Sequence, residues 1–308
     1  MTLMRCVKPG ALWKRIATAA AMILIAGCTA MPLAYNNADL LVRLRGHQYF
    51  DLQGQQEKDF NLRVARFHQW HRTEELPHYE SLFRTAGQRI AHGLTKDDVQ
   101  WAIEALRERY RILMHNVSIE VAPVLATLTP EQIAQTEKRF TQDNEKFSKD
   151  QYLNDSEEKR LKKRIKWARG QFEDWLGYLT PEQQARIEAM IRSSPPLAYH
   201  RLEERKLNQQ RFLTLIRKHL PPNELAIGLQ AFFEGIEANR LPAFARAVTQ
   251  TETQLTQLLL DLDKTLSPSQ RDYATRRFAS FAGDFQKLAS NKEERPTGSG
   301  LLHSIVEF

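Results

Sequence analysis

The sequence has little cysteine and lacks a long apolar run. Its 308 residues include only two cysteines, Cys6 and Cys28, so a fold stapled by several disulfides is excluded. The apolar stretch at residues 16–27 is too short for a membrane-spanning helix, which needs about 20 residues. Hydrophobic residues make up 42% of the chain, which is enough for a globular protein with a hydrophobic core.

Signatures of several enzyme classes are also missing. The chain contains no Gly-x-Ser-x-Gly nucleophile elbow, no His-Glu-x-x-His zinc motif and no glycine-rich phosphate loop. Acidic pairs such as Glu157-Glu158 could serve a glycosidase, but 37 acidic residues on amphipathic helices produce such pairs by chance. We therefore predict a non-enzymatic protein without catalytic residues or a cofactor.

The first 28 residues are typical of an export signal. Four cations and no acid occupy the first fifteen positions, and an apolar stretch at residues 16–27 follows them. This order is that of a secretory signal peptide. The stretch Ile25-Ala26-Gly27-Cys28 resembles the lipobox of bacterial lipoproteins. That resemblance implies removal of residues 1–27 by cleavage between Gly27 and Cys28, and a diacylglycerol on the thiol. The alternative is an ordinary signal peptide that ends on a chance cysteine.

The basic charge balance belongs largely to this signal. The whole chain has a formal net charge of +7, but removal of residues 1–27 leaves 40 basic residues against 37 acidic ones. A nearly balanced protein gives little support to a nucleic-acid partner, and we predict none. Several acyl chains on Cys28 would instead provide stable membrane anchoring.

Thr29 gives a prediction of the membrane. An Asp directly after Cys28 would resemble the signal that retains many Gram-negative lipoproteins in the inner membrane, but this chain has Thr29 there. Thr29 therefore favours the periplasmic face of the outer membrane, with the periplasmic face of the inner membrane as the second choice. The predicted partners are the membrane, through Cys28, and a protein partner or client in the periplasm.

Helical periodicity dominates the rest of the chain. Residues 28–35 are predicted to form a lipidated tether. Over residues 36–290 apolar side chains recur every three or four positions, without the alternation of strands. The pattern predicts an all-α body of roughly nine or ten amphipathic helices, packed as antiparallel hairpins without a sheet. Pro-containing joints separate many helices, and the one at 193–196 is a candidate sub-boundary. Residues 291–308 are predicted to be disordered.

One phrase recurs at predicted helix starts. In Thr129-Pro130-Glu131-Gln132, the Thr hydroxyl can cap the helix, Pro suits the first position and Gln can complete a capping box. The phrase returns at residues 180–183 and 267–270, and more loosely at 95–98. Our interpretation is helix punctuation, and we expect that an equally good cap such as Ser-Pro-Glu-Glu would impair nothing beyond stability. The alternative is functional, because L-T-x-x-Q phrases resemble those of the periplasmic Spy and CpxP stress chaperones.

A broader resemblance covers nearly the whole exported chain. The segments "LAYNNADLLVR", "YFDL", "WHRTEELPHYESL", "LTPEQ", "DNEKF" and "FEDWLGYLTPEQ" follow one another in this order. The chain thereby resembles an uncharacterised family of proteobacterial helical lipoproteins, known only as a domain of unknown function. The matching motifs are Tyr35 to Asp39, Glu74 to Pro77 and Asp174 to Gln183. The resemblance implies an all-helical fold and an envelope location, and no activity.

One polar cluster supports a competing hypothesis. His68 and His71 share a helix face, and Glu75 with His78 makes a Glu-x-x-His motif. Di-iron bundles use such motifs in pairs, whereas this chain has one, and we predict no metal site. The main prediction is a binding, scaffold or chaperone-like envelope component. The alternative is an envelope hydrolase or metal-binding protein that uses His68, His71, Glu75 and His78.

Overall fold

The computed structural model describes residues 30–290, and these residues confirm the predicted all-α fold, with helices and no strand. A π-helical turn, His71–Glu75, joins the third helix to the fourth. The α-helices are α1 (Ala30–Asn36), α2 (Ala38–Phe50), α3 (Gln55–Trp70), α4 (Leu76–His92), α5 (Lys96–Leu125), α6 (Pro130–Asp150), α7 (Glu157–Leu176), α8 (Pro181–Ser193), α9 (Leu197–Ile216), α10 (Pro222–Ala238), α11 (Pro242–Asp263) and α12 (Pro268–Ser290).

The predicted tether at residues 28–35 needs a correction. From Ala30 onward the chain is helical, and Met31 is buried against Leu76 and Leu288. The reason is that Met31 and Tyr35 lie four residues apart and present one apolar stripe to α4 and α12. The predicted signal peptide at 1–27, the lipidation site Cys28 and the predicted disordered tail at 291–308 lie outside the described residues.

Hydrophobic clusters hold the helices together. The largest joins α3, α5, α6, α9 and α10, and includes the fully buried Leu229. A second joins α7, α8 and α11 around Leu179 and Ile187. A third joins α1, α4 and α12 around Leu76. Within residues 30–290, no helix is both long enough and apolar enough to cross a bilayer.

The most extensive helix pair is α4 with α12. Gly87 allows the two backbones to approach closely, since a Cβ there would lie 3.1 Å from the Cβ of Phe278. Phe83 contacts the rings of Phe278, Phe281 and Phe285, with centroid distances of 5.7, 5.6 and 5.2 Å. α12 therefore holds α4, the helix that precedes α5, in place by packing against it.

The candidate sub-boundary at 193–196 lies between α8 and α9. α11 packs against both of these helices, and the Ser194 hydroxyl donates to Gln254 Oε1 of α11 over 2.8 Å. Helix packing therefore continues across this joint.

Gly46 sets how closely α2 approaches α3. It is buried, and a Cβ at this position would overlap the ring of Phe60, which itself lies in the largest core cluster. We expect Gly46→Ala to lower the free energy of unfolding by about 1–3 kcal/mol through overpacking. In Gly170→Ala, where the new Cβ meets nothing within 4 Å, helix propensity should instead add about 0.5–1 kcal/mol. Urea denaturation compares the two, and equal effects would contradict this packing.

Candidate functional site

The π-helical turn His71–Glu75 is the most unusual backbone feature of the described chain. Pro77 follows it in the first turn of α4. Proline has no N–H for the carbonyl of residue 73, and its ring would clash with that carbonyl in a regular α-helix. The wider π-helical turn accommodates this proline while the chain stays helical. Such turns are frequent at functional sites, so the side chains of this turn are candidates for a functional site.

Arg72 of this turn is buried and reaches two other helices. Its guanidinium donates to the carbonyl of Leu288 over 2.9 Å and to Asn36 Oδ1 over 2.8 Å. The same group lies 5.0 Å from the centre of the Tyr35 ring, within the range of a cation–π interaction. Arg72 thus fastens the end of α1 and the end of α12 to the π-helical turn.

His71 makes the second link to α1. Its Nδ1 lies 2.9 Å from the Tyr35 hydroxyl, and its ring also contacts Tyr79, with centroids 5.6 Å apart. Burial lowers the pKa of His71 to about 4, and the nearby His68 and Arg72 add to this effect. Burial also raises the pKa of Tyr35. At neutral pH the imidazole is therefore neutral and the tyrosine protonated, and the two groups share one hydrogen bond.

The neutral state of His71 makes the stability of this region depend on pH. The pKa of the His71 imidazole is about 4 in the folded protein and 6.5 in the unfolded chain. Between pH 4 and pH 6.5 the unfolded chain therefore binds more protons than the folded protein. The stabilisation is complete above pH 6.5 and is lost as the pH falls towards 4. We expect a loss of about 3 kcal/mol of unfolding free energy across that window.

The control is His71→Asn, which keeps a hydrogen-bond acceptor near Tyr35 but cannot titrate in this range. Denaturant unfolding at a series of pH values should give a flatter profile for His71→Asn than for the native chain between pH 6.5 and 4. Identical slopes for the two chains would contradict the assignment of a buried neutral imidazole at residue 71.

The structure separates the residues of the proposed Glu-x-x-His motif. Glu75 is buried, 2% exposed, and its Oε1 lies 3.5 Å from Nη1 of Arg109 on α5. His78 is exposed. His68 packs beside Tyr35, with ring centroids 4.9 Å apart. Across residues 30–290, no group of three or more His, Cys, Asp or Glu side chains is arranged to hold a metal ion. The four candidates therefore do not converge on one centre.

The recurring phrase forms the capping boxes that the sequence predicts. Thr129 and Thr180 each accept from the N–H three residues later, and the glutamine at that position accepts from the backbone N–H of the capping Thr. Ser267 and Gln270 repeat both bonds. The looser box of Thr95 uses Asp98 in place of glutamine. Capping is thus confirmed at each of these helix starts.

Two of the capping glutamines also bind each other. Gln183 donates to Gln270 Oε1 over 3.1 Å, and Gln270 donates back to Gln183 Oε1 over 2.8 Å. Gln183 also donates to the carbonyl of Thr265, in the loop before α12, over 3.2 Å. Gln270 also donates to the carbonyl of Tyr178, in the loop before α8, over 2.7 Å. Both glutamines are buried. This pair joins the start of α8 to the start of α12.

A matching pair joins α3 to α6. Gln132 and Gln56 exchange hydrogen bonds of 2.8 and 3.2 Å. Their amides also donate to the loop carbonyls of Asp51 and Thr127, over 2.9 and 2.8 Å. Sequence analysis missed Gln56 because it is not part of a capping phrase. A Ser-Pro-Glu-Glu cap would lose these bonds between helices, because glutamate has no N–H to donate. That such a swap would impair nothing beyond stability stays a prediction.

An open groove with basic side chains lies between α7 and α8. It has a volume of about 540 Å³, and its lining includes Lys162, Lys166, Arg169 and Arg192 together with Glu173 and Glu188. Arg192 pairs with Glu188 over 2.6 Å. The groove therefore presents a partly neutralised basic surface to solvent.

Comparison with known proteins gives a family and no activity. A family model described as "Family of unknown function (DUF6279)" matches residues 48–230. No curated protein and no solved structure matches the chain. The matched range contains the π-helical turn and the pair formed by Gln56 and Gln132, and it covers more than half of the chain. The protein therefore belongs to the DUF6279 family of unknown function.

Proposed function

We propose that this protein is a lipoprotein of the bacterial envelope, anchored through acyl chains on Cys28 to the periplasmic face of the outer membrane. Its helical body is a non-enzymatic scaffold that binds a periplasmic protein. The observation that carries this proposal is the attachment of α1 to the body. The helix begins at Ala30, directly after the lipobox, and Arg72 and His71 hold its far end.

This attachment gives the anchor a mechanical consequence. Two residues of extended chain span at most about 7 Å, so the acyl chains on Cys28 would lie close to the first turn of α1. Met31 in that turn is buried against Leu76 and Leu288. The body would therefore be held at the membrane surface in a defined orientation, which suits a scaffold that presents one face to a partner.

The polar groups of the π-helical turn support a binding role over a catalytic one. Arg72 is bound to Leu288 and Asn36, and Glu75 faces Arg109. These contacts connect α1, α5 and α12 around one point. The turn is thus used to assemble helices, while the second carboxylate oxygen of Glu75 is buried without a hydrogen-bond partner.

Lipidation makes a direct prediction for Cys28→Ala. Metabolic labelling with palmitate should mark the native chain, and the variant should take up no label because it has no thiol to modify. Fractionation should place the labelled native chain in the outer membrane. The variant should accumulate with residues 1–27 still attached, because lipidation precedes cleavage at a lipobox. An unlabelled native chain would contradict the proposed anchor.

The binding role needs its own experiment. Crosslinking in intact cells followed by mass spectrometry should recover a small, reproducible set of partners if the body is a scaffold. A chaperone would instead crosslink to many clients and suppress aggregation of an unfolded protein at stoichiometric amounts. A native chain that yields no crosslinked protein would contradict the scaffold role.

A further inference from the structure

α2 turns leucine side chains towards solvent. Leu40, Leu41 and Leu44 are 42%, 41% and 51% exposed, and the helical period places them on one face. Gly46 lies on roughly the opposite face, where it is buried against Phe60. In α1, Leu33 is 65% exposed. We call the three leucines of α2, Leu40, Leu41 and Leu44, the leucine face.

The polar groups around this face suit a membrane surface. In residues 30–50, Asp39 is the only acidic residue, against Arg43 and Arg45. Arg43 pairs with Asp39 over 2.9 Å, and Arg45 donates to Gln48 over 3.3 Å. Interfacial helices expose apolar side chains between cationic ones, and anionic lipids strengthen their binding. α2 offers three exposed leucines and a net excess of one arginine.

We propose that the leucine face inserts into the headgroup layer of the membrane that holds the acyl chains of Cys28. This inference rests on the proposed anchoring. Because α1 begins two residues after Cys28, its first turn lies within about 7 Å of the lipidated residue. An interfacial helix buries its apolar side about 5–10 Å deep. The anchor would thus hold α1 beside the membrane, and α2 with its leucine face begins at Ala38, two residues after α1 ends.

The size of the face favours lipid over a second copy of the chain. A stable dimer buries about 800 Å² on each partner, and three leucines that are already partly covered cannot supply that area. A membrane requires no complementary shape and is held adjacent by the anchor. Insertion into a membrane therefore requires only that the leucine face is apolar and lies beside the lipid.

Cysteine labelling can test this insertion in the full lipidated chain. The only cysteine expected after cleavage is Cys28, whose thiol is consumed by lipidation. Leu41→Cys would therefore provide a single site for an environment-sensitive nitrobenzoxadiazole label. Ile227→Cys is the matched control, because Ile227 is an equally apolar residue that is 69% exposed on α10. Both labelled chains are reconstituted into phosphatidylethanolamine and phosphatidylglycerol vesicles, with and without lipids that carry a doxyl quencher.

Flotation of the vesicles tests the anchor separately from the insertion. We expect both chains to float, with fluorescence at position 41 quenched at least about twofold more than at position 227. Equal, weak quenching in floating vesicles would overturn the insertion and leave the anchor intact. A doubled mass, with position 41 shielded in the absence of vesicles, would assign the face to a second copy and also overturn the insertion.

A failed anchor would give a different result. The native chain would then react with the thiol label at Cys28. In that case Cys6→Ala and Cys28→Ala are combined with Leu41→Cys, so that position 41 is the single label site even where residues 1–27 are retained. Quenching at position 41 on addition of vesicles still decides the inference. Quenching supports insertion by the leucine face alone, and its absence overturns it.

Discussion

The Gln183→Glu chain is expected to lose about 3 kcal/mol of unfolding free energy at pH 7. Gln183 is fully buried, and the substituted carboxylate would keep the acceptor that caps α8 but lose the donor. The carbonyl of Thr265 and the amide oxygen of Gln270 would each lose a hydrogen bond. A buried carboxylate also has a raised pKa, so lowering the pH to 5 should recover part of the loss.

Two comparisons make this experiment specific to the glutamine pair. Glu182→Gln changes the neighbouring residue, which is 66% exposed, and it should alter stability by less than about 0.5 kcal/mol. Asp98 occupies the same position in the capping box of α5, where the Arg89 guanidinium donates to its carboxylate. An acid is therefore accommodated at this position when a cation faces it. Chemical denaturation measures each variant. If Gln183→Glu costs no more than Glu182→Gln, the recurring phrase does nothing beyond capping.

Arg72→Met is expected to lower the free energy of unfolding by about 3 kcal/mol and to release α1. The substitution fills a similar volume but leaves the carbonyl of Leu288 and the amide oxygen of Asn36 without their donor. Arg72→Lys should recover only part of the loss, because one ammonium cannot reproduce a planar group that reaches two acceptors. Hydrogen exchange should speed up at residues 30–36 in both variants.

Arg84→Met is the matched control on α4, the helix that follows the π-helical turn. Arg84 is 56% exposed and pairs with Glu80 one turn away, so its loss should cost less than about 0.5 kcal/mol. Exchange at residues 30–36 should remain that of the native chain. Unchanged exchange in Arg72→Met would show that α1 is not held by the π-helical turn.

Much of the fold could be predicted because helix starts are local. The capping boxes at Thr129 and Thr180 place the beginnings of α6 and α8 where the sequence predicts them. Apolar periodicity over 96–126 likewise predicts α5 well. These signals depend on residues within one or two turns, so a single sequence contains them.

The errors arise where distant residues decide the structure. In the sequence alone, residues 30–35 resemble a tether, whereas in the structure Met31 and Tyr35 pack against α4 and α12. Glu75 and His78 are three residues apart in sequence, but contact with Arg109 draws one inward while the other stays exposed. The partnership of Gln183 with Gln270 joins residues 87 positions apart, and no local pattern reports it. The functional site was therefore less predictable than the helices that build it.

The mass of the N-terminal tryptic peptide, taken from protein extracted from outer membranes, tests anchoring at Cys28 most directly. Trypsin should cut after Arg43 and release residues 28–43. The proposed lipoprotein predicts that this peptide begins at Cys28 and carries a diacylglyceryl group on sulfur and an acyl group on its amine. A peptide with an unmodified Cys28, or one that continues upstream of Gly27, would contradict the anchor and the membrane orientation derived from it.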